Sequence, residues 1–155
     1  MTRFRSNSLL VTLGKLLLIA SLIAAVYFLV RITGGIKYVF SHTMYLPILL
    51  AAYFFGLPGG LIAGLIGGLV LGPIMPISVS TGEMQDLMNW LYRLVMFAGV
   101  GAISGFLFSV VIKRTEEVSW MATHSQETGL PNYNHFIESM TRDQQSAEPG
   151  TQFAL

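Results

Sequence analysis

Cysteine is absent from this chain and charge is scarce. Without a thiol there is no disulfide framework, no Cys-ligated zinc site and no thiol nucleophile, and cysteine usage leaves the compartment unmarked. Asp, Glu, Lys and Arg make up 11% of the 155 residues, and the net charge of +1 comes with no basic stripe. That balance argues against nucleic acid as a partner. The missing charge is also unevenly placed. Between Lys37 and Lys113 the charged residues are Glu83, Asp86 and Arg93 alone. A water-solvated core does not need so long an uncharged run, whereas a membrane span does.

The gap is filled by hydrophobic residues, 53% of the chain, and by a ladder of glycines. Gly56, Gly60, Gly64, Gly68 and Gly72 stand four residues apart on one apolar segment. Each interior glycine weakens a water-exposed helix by roughly 1 kcal/mol relative to alanine. In lipid the balance changes, because backbone hydrogen bonds close within the segment and small residues let two helix backbones approach. The ridge therefore predicts close contact with a neighbour. One reading is a dimer contact. The plainer one is packing inside the same bundle, against Ala98, Gly101, Ala102 and Gly105, and the small-xxx-small pattern of that partner favours it.

Hydropathy predicts an all-α membrane protein: a bundle of four transmembrane helices with a short cytoplasmic tail, helical and then irregular. The spans run roughly over residues 14–32, 38–55, 59–77 and 88–112. Gly56-Leu57-Pro58-Gly59 is expected to form a tight turn between the second and third. Pro47 is expected to kink the second span, and Pro73 and Pro76 to end the third. Residues 1–114 then form the membrane domain, 115–124 a helical linker and 125–155 a further, incomplete unit. The first apolar run ends in Arg31 without an Ala-x-Ala-type cleavage site, so it reads as a retained helix and not as a signal peptide. Arg3, Arg5 and Lys15 at one end, and Lys113 and Arg114 at the other, place both termini in the cytoplasm. Arg31 and Lys37 then fall outside, against that rule.

Polar side chains near the outer face are the candidate ligand pocket: His42, Tyr45, Glu83, Asp86 and Arg93. A charge deep in a membrane helix costs roughly 2.5–3.5 kcal/mol on insertion scales, so such groups default to functional suspicion. Asp86 lies seven residues before Arg93 and would share its helix face. The plainer reading, which is favoured, is that Arg93 snorkels to the headgroups while the acids face water. His42 has no second histidine or cysteine beside it, so no metal site is expected. Tyr38, Tyr45, Trp90 and Tyr92 read as an outer aromatic belt.

After Arg114 the chain turns polar. Residues 115–123 can extend the fourth helix, with Val111, Val118 and Met121 as a partial heptad seam broken by Arg114. Then comes Thr128-Gly129-Leu130-Pro131-Asn132, a glycine–proline turn with a good N-cap at its end. A membrane helix, a short linker and Thr-Gly-Leu-Pro-Asn together resemble the opening of a GGDEF domain, the diguanylate cyclase module. His124, Thr128, Gly129, Leu130 and Asn132 are in register with that family's pattern. Ser125, Glu127 and Tyr133 depart from it, where the family has Asp, Leu and Arg. Residues 152–155 look like the start of the family's first strand.

The resemblance implies a fragment or natural truncation of a signalling protein, in the bacterial inner membrane and acting as a homodimer. The chain carries no Gly-Gly-Asp/Glu-Glu-Phe signature and no acidic metal ligands. It is therefore expected to hold no cofactor and to be inactive alone, with GTP and Mg²⁺ bound only where a complete GGDEF domain comes after it. The segment from Tyr45-Leu46-Pro47-Ile48 to Gly59-Gly60 also looks like the glycine-rich hairpin of bacterial histidine-kinase and cyclase sensor domains. It is similar as well to the substrate-binding subunits of energy-coupling-factor vitamin transporters. The lead expectation is a membrane sensor that signals through its last helix. The alternatives are a small-solute transporter subunit and a structural accessory subunit of a membrane complex.

Overall fold

A computed structural model describes residues 2–125, 132, 133, 136, 137 and 140–142. Among the described residues the regular elements are all helical. They are α1 (Thr2–Ile32), a 3₁₀ helix (Val39–Met44), α2 (Tyr45–Val70) and α3 (Leu87–Thr123). The chain divides into two compact units, Met1–Val110 and Val111–Leu155.

Three helical segments are long and apolar enough to cross a membrane: Leu9–Ile32 and Val39–Val70 in the first unit, and Leu87–Thr123, which begins in the first unit and runs on into the second. They are apolar around most of their circumference. α1 buries one stripe, Ile19, Ile23, Val26 and Val30, at the 4-3-4 spacing of a helix face. Leu17 is nevertheless 70% exposed, and on α3 Ile103 is 64% exposed. A helix apolar all round belongs in a large core or in lipid, and a chain of this size offers no such core.

The expected second and third spans lie within α2, as two helical stretches joined at Gly56. The element is not straight. Gly56 has φ 65° and ψ −150°, which breaks the helix. That conformation is open essentially to glycine alone. Gly67 sits against Met44 and Ile48, with a Cβ at Gly67 falling 2.8 Å from Met44 Cγ. In an unbroken helix those positions would be separated by roughly 30 Å. The chain therefore doubles back at Gly56, and α2 is a hairpin of arms 45–55 and 57–70. The arms are only about 16 and 21 Å long at 1.5 Å per residue, which is why neither counts as a spanning helix by itself.

Pro47 corrects a second expectation. It lies in the first turn of α2, where a missing N–H costs nothing, so it introduces no kink. The third expected span also stops early. α2 ends at Val70, ahead of Pro73 and Pro76. Pro58, two residues past the break, likewise occupies the first turn of its arm.

Arm 57–70 and α3 run antiparallel with their glycine faces together. A Cβ on Gly60 would collide with the carbonyl of Gly101, and a Cβ on Gly101 with the carbonyl of Gly60. At Gly64 it would lie 2.7 Å from Ala98 Cα, and at Gly68, 2.6 Å from Leu94 Cα. Gly72 faces Trp90, and Gly105 faces the backbone of Gly56 and Leu57. From Gly56 to Gly68 backbone meets backbone along the seam, the geometry that small residues at four-residue spacing permit in lipid. α1 lies on a different side of the hairpin. There Leu16, Ile19 and Ile23 and, across from them, Phe55, Ile62 and Ile66 line an apolar groove of about 670 Å³.

In the second unit α3 runs on to Thr123. The ring of Trp120 stacks on His124 at 5.1 Å, the planes within 3°. Asn132, read from sequence as an N-cap, donates from Nδ2 to Ala122 O (2.7 Å), and its backbone N–H donates to Thr123 O (2.9 Å). Phe136 N–H in turn donates to Asn132 O. Thr128, Gly129, Leu130 and Pro131 lie outside the described residues.

Candidate functional site

The turn that follows α2 buries the carbonyls of Leu71, Gly72 and Met75, which need donors there. Two side chains take them. Gln85 Nε2 lies 2.9, 2.8 and 2.6 Å from the carbonyl oxygens of Leu71, Gly72 and Met75. Arg93 Nη1 donates to Leu71 O at 2.7 Å and to Gln85 Oε1 at 2.9 Å. Leu71 and Met75 are fully buried. A cation at a helix C-terminus also meets the negative end of the helix dipole. Arg93 is thus a half-buried clamp that ties α3 to the end of α2.

A second set of contacts positions the opposite wall. Gly35 has φ 108°, and a Cβ there would strike the carbonyl of Ile77. That freedom lets the loop after α1 lie along the segment after α2. Ile36 N–H donates to Pro76 O, Lys37 N–H to Ile77 O and Val79 N–H to Gly34 O, at 3.1–3.3 Å.

Between the two walls lies a cleft of about 620 Å³. It gathers His42 and Tyr45 from the 3₁₀ helix and the start of α2, and Arg93 from α3. His42 Nδ1 donates to Val39 O at 2.9 Å, and Tyr45 packs edge-on against Phe97 at 5.0 Å. The other two sequence candidates lie elsewhere. Glu83 and Asp86 are exposed and do not line the cleft. Glu83 contributes its backbone, accepting from Ile77 N–H at 2.8 Å. Asp86 opens α3, its carbonyl accepting from Asn89 and Trp90. Among the described residues the salt bridge is Arg114–Glu117, so Asp86 and Arg93 do not pair.

Sequence reasoning missed Gln85, the residue that organises the site. Nothing in composition distinguishes one amide in a polar loop, and its role appears only when three carbonyls converge on it. Ser41, Asn89 and Lys37 also face the cleft unannounced. Tyr45 and Tyr92 line it, where the sequence suggested an aromatic belt. No group of three or more His, Cys, Asp or Glu side chains suited to a metal occurs among the described residues.

The fold defines the class: an all-helical chain whose three long apolar helices point to a membrane protein. Comparison with protein-family models, curated proteins and solved structures finds no match to it.

Proposed function

We propose that this chain is the membrane-embedded sensory module of a bacterial signalling protein, coupling a pocket at one face of the bilayer to a cytoplasmic GGDEF-type output domain. The observation that carries this reading is the reach of α3. One helix supplies Arg93, Asn89 and Tyr92 to the cleft and continues without a break to Thr123. The Thr128–Asn132 motif comes within the next ten residues.

In this reading the hairpin crosses the bilayer twice, its first arm lengthened by the 3₁₀ helix Val39–Met44 and its second by the turn after Val70, giving four crossings with both termini cytoplasmic in the inner membrane. The seam supports that. From Trp90, opposite Gly72, to Ser109, opposite Gly56, α3 rises about 28 Å, near the thickness of the hydrocarbon core. The protein works as a homodimer through Val111, Val118 and Met121, all exposed on α3. A ligand that binds two packings of α3 unequally shifts their populations and repositions the output domains. GTP and Mg²⁺ belong to the output domain alone.

The test joins residues 1–132 to a complete, active cyclase domain and deletes Thr115. Removing one residue rotates the downstream part of the helix by about 100° at 3.6 residues per turn. The expected outcome is a changed rate of cyclic dinucleotide synthesis in membranes. An unchanged rate defeats the proposal. A second reading, a transporter's solute-binding subunit, draws on the cleft's volume, which suits a vitamin-sized molecule. It expects solute binding with cyclase output indifferent to it.

A further inference from the structure

The cleft is electrostatically one-sided. Lys37 and Arg93 both line it, and among the described residues no carboxylate does. Arg93 commits Nη1 to Leu71 and Gln85, which leaves Nη2 and Nε as donors of the forked kind that suits a carboxylate. Lys37 stands at the rim, its Nζ 5.1 Å from the ring centre of Tyr38.

The rest of the lining mixes aromatic rings and a serine hydroxyl with aliphatic side chains, the amides of Gln85 and Asn89, and His42. Tyr45 and Phe97 form an edge-to-face pair, with Tyr92 on the same wall. Ser41 is only 6% exposed, and among the described residues its hydroxyl has no hydrogen-bond partner. Every fully buried side-chain N or O among the described residues has a partner, so the Ser41 hydroxyl opens onto the cleft. Rings give apolar area at low entropic cost, while the cations and hydroxyl fix orientation.

We infer that this cleft binds a small organic anion, a carboxylate carried on an aromatic body. The inference deepens the sensory reading and rests on the cleft being its ligand pocket. The carboxylate meets Arg93 and Lys37. The ring lies among Tyr45, Tyr92 and Phe97. A neutral isostere loses the ionic contacts and leaves two cations facing apolar surface, and a cationic one is repelled.

The test uses the full chain in phosphatidylcholine nanodiscs with three probes of one shape: 3-phenylpropionate, 3-phenylpropanamide and 3-phenylpropylamine. Calorimetry is expected to show the acid binding at least about tenfold tighter than the amide, with the amine not binding, since charge-assisted hydrogen bonds are about twice as strong as neutral ones. Lys37→Gln, at an exposed site, weakens the acid about tenfold and leaves the amide unchanged. Arg93→Lys keeps the charge but loses the fork, and weakens the acid less than Arg93→Gln does. Because Arg93 also holds the fold, Lys37→Gln is the deciding variant. Equal affinity for acid and amide overturns the proposal, as does absence of acid binding. Competitive displacement of the acid by phosphatidylglycerol in the disc would assign the cations to lipid and overturn it too. Acid binding that leaves the cyclase fusion's output unmoved sinks the sensory reading and spares the anion site. Output sensitive to deletion of Thr115, with no acid binding, does the reverse.

Discussion

The hairpin is touched on two sides, and the two contacts are built differently. Against α3 it offers glycines, and at Gly60, Gly64 and Gly68 the two backbones come into direct contact. Against α1 it meets branched residues, Ile19, Ile23, Val26 and Val30, and leaves a groove of about 670 Å³ beside them. Lipid tails are as apolar as these side chains, so no hydrophobic drive favours either contact in a bilayer. The difference is one of shape. In the glycine seam, carbonyls stand where a Cβ on Gly60, Gly101 or Gly105 would have to go. The α1 contact can lose or gain a methyl group and re-form.

Volume added to the seam is the sharpest way to break that contrast. Gly60→Val would drive Cβ into the carbonyl of Gly101, on a backbone that cannot move aside. The expected loss is about 3 kcal/mol, the upper part of the usual overpacking range, read as a lowered midpoint of SDS-induced unfolding. Gly99→Ala is the control. Nothing lies within 4 Å of its Cβ, so alanine there should leave the midpoint unchanged or raised. If both variants behave alike, the seam is not what holds α3.

Gly56→Ala should come next in size. Its φ of 65° and ψ of −150° suit glycine only, and its Cβ would lie 2.8 Å from Ser109 Oγ. A cost of about 2 kcal/mol fits a non-glycine residue held in such a region. The same unfolding assay reads it. A variant as stable as the parent would show that the arms do not double back there.

The smallest effect belongs to α1. Ile23→Val removes one methylene from a buried stripe and should cost about 1 kcal/mol, within the usual range for that exchange. Should Ile23→Val destabilise as much as Gly60→Val, the two faces of the hairpin would be equally exacting and the contrast would fail.

Periodicity belongs to a single helix, so a single chain read in order displays it. The apolar runs, the glycine ladder from Gly56 to Gly72 and the turn around Gly56–Gly59 were legible for that reason. So was the extension of the last helix to Thr123, while of the five candidate polar residues His42, Tyr45 and Arg93 line one cleft. Register and convergence are properties of segments far apart in sequence, and only the tertiary structure decided them. It set Gly60 against Gly101, folded the two arms of α2 back on each other at Gly56, and made Arg93 a clamp on the segment after α2. It brought Gln85 under three carbonyls and left Glu83 and Asp86 outside the cleft. The physical reason is that an unpaired carbonyl at a helix end must find a donor wherever the chain brings one, and neither the donor's identity nor its distance along the chain is written in the local pattern.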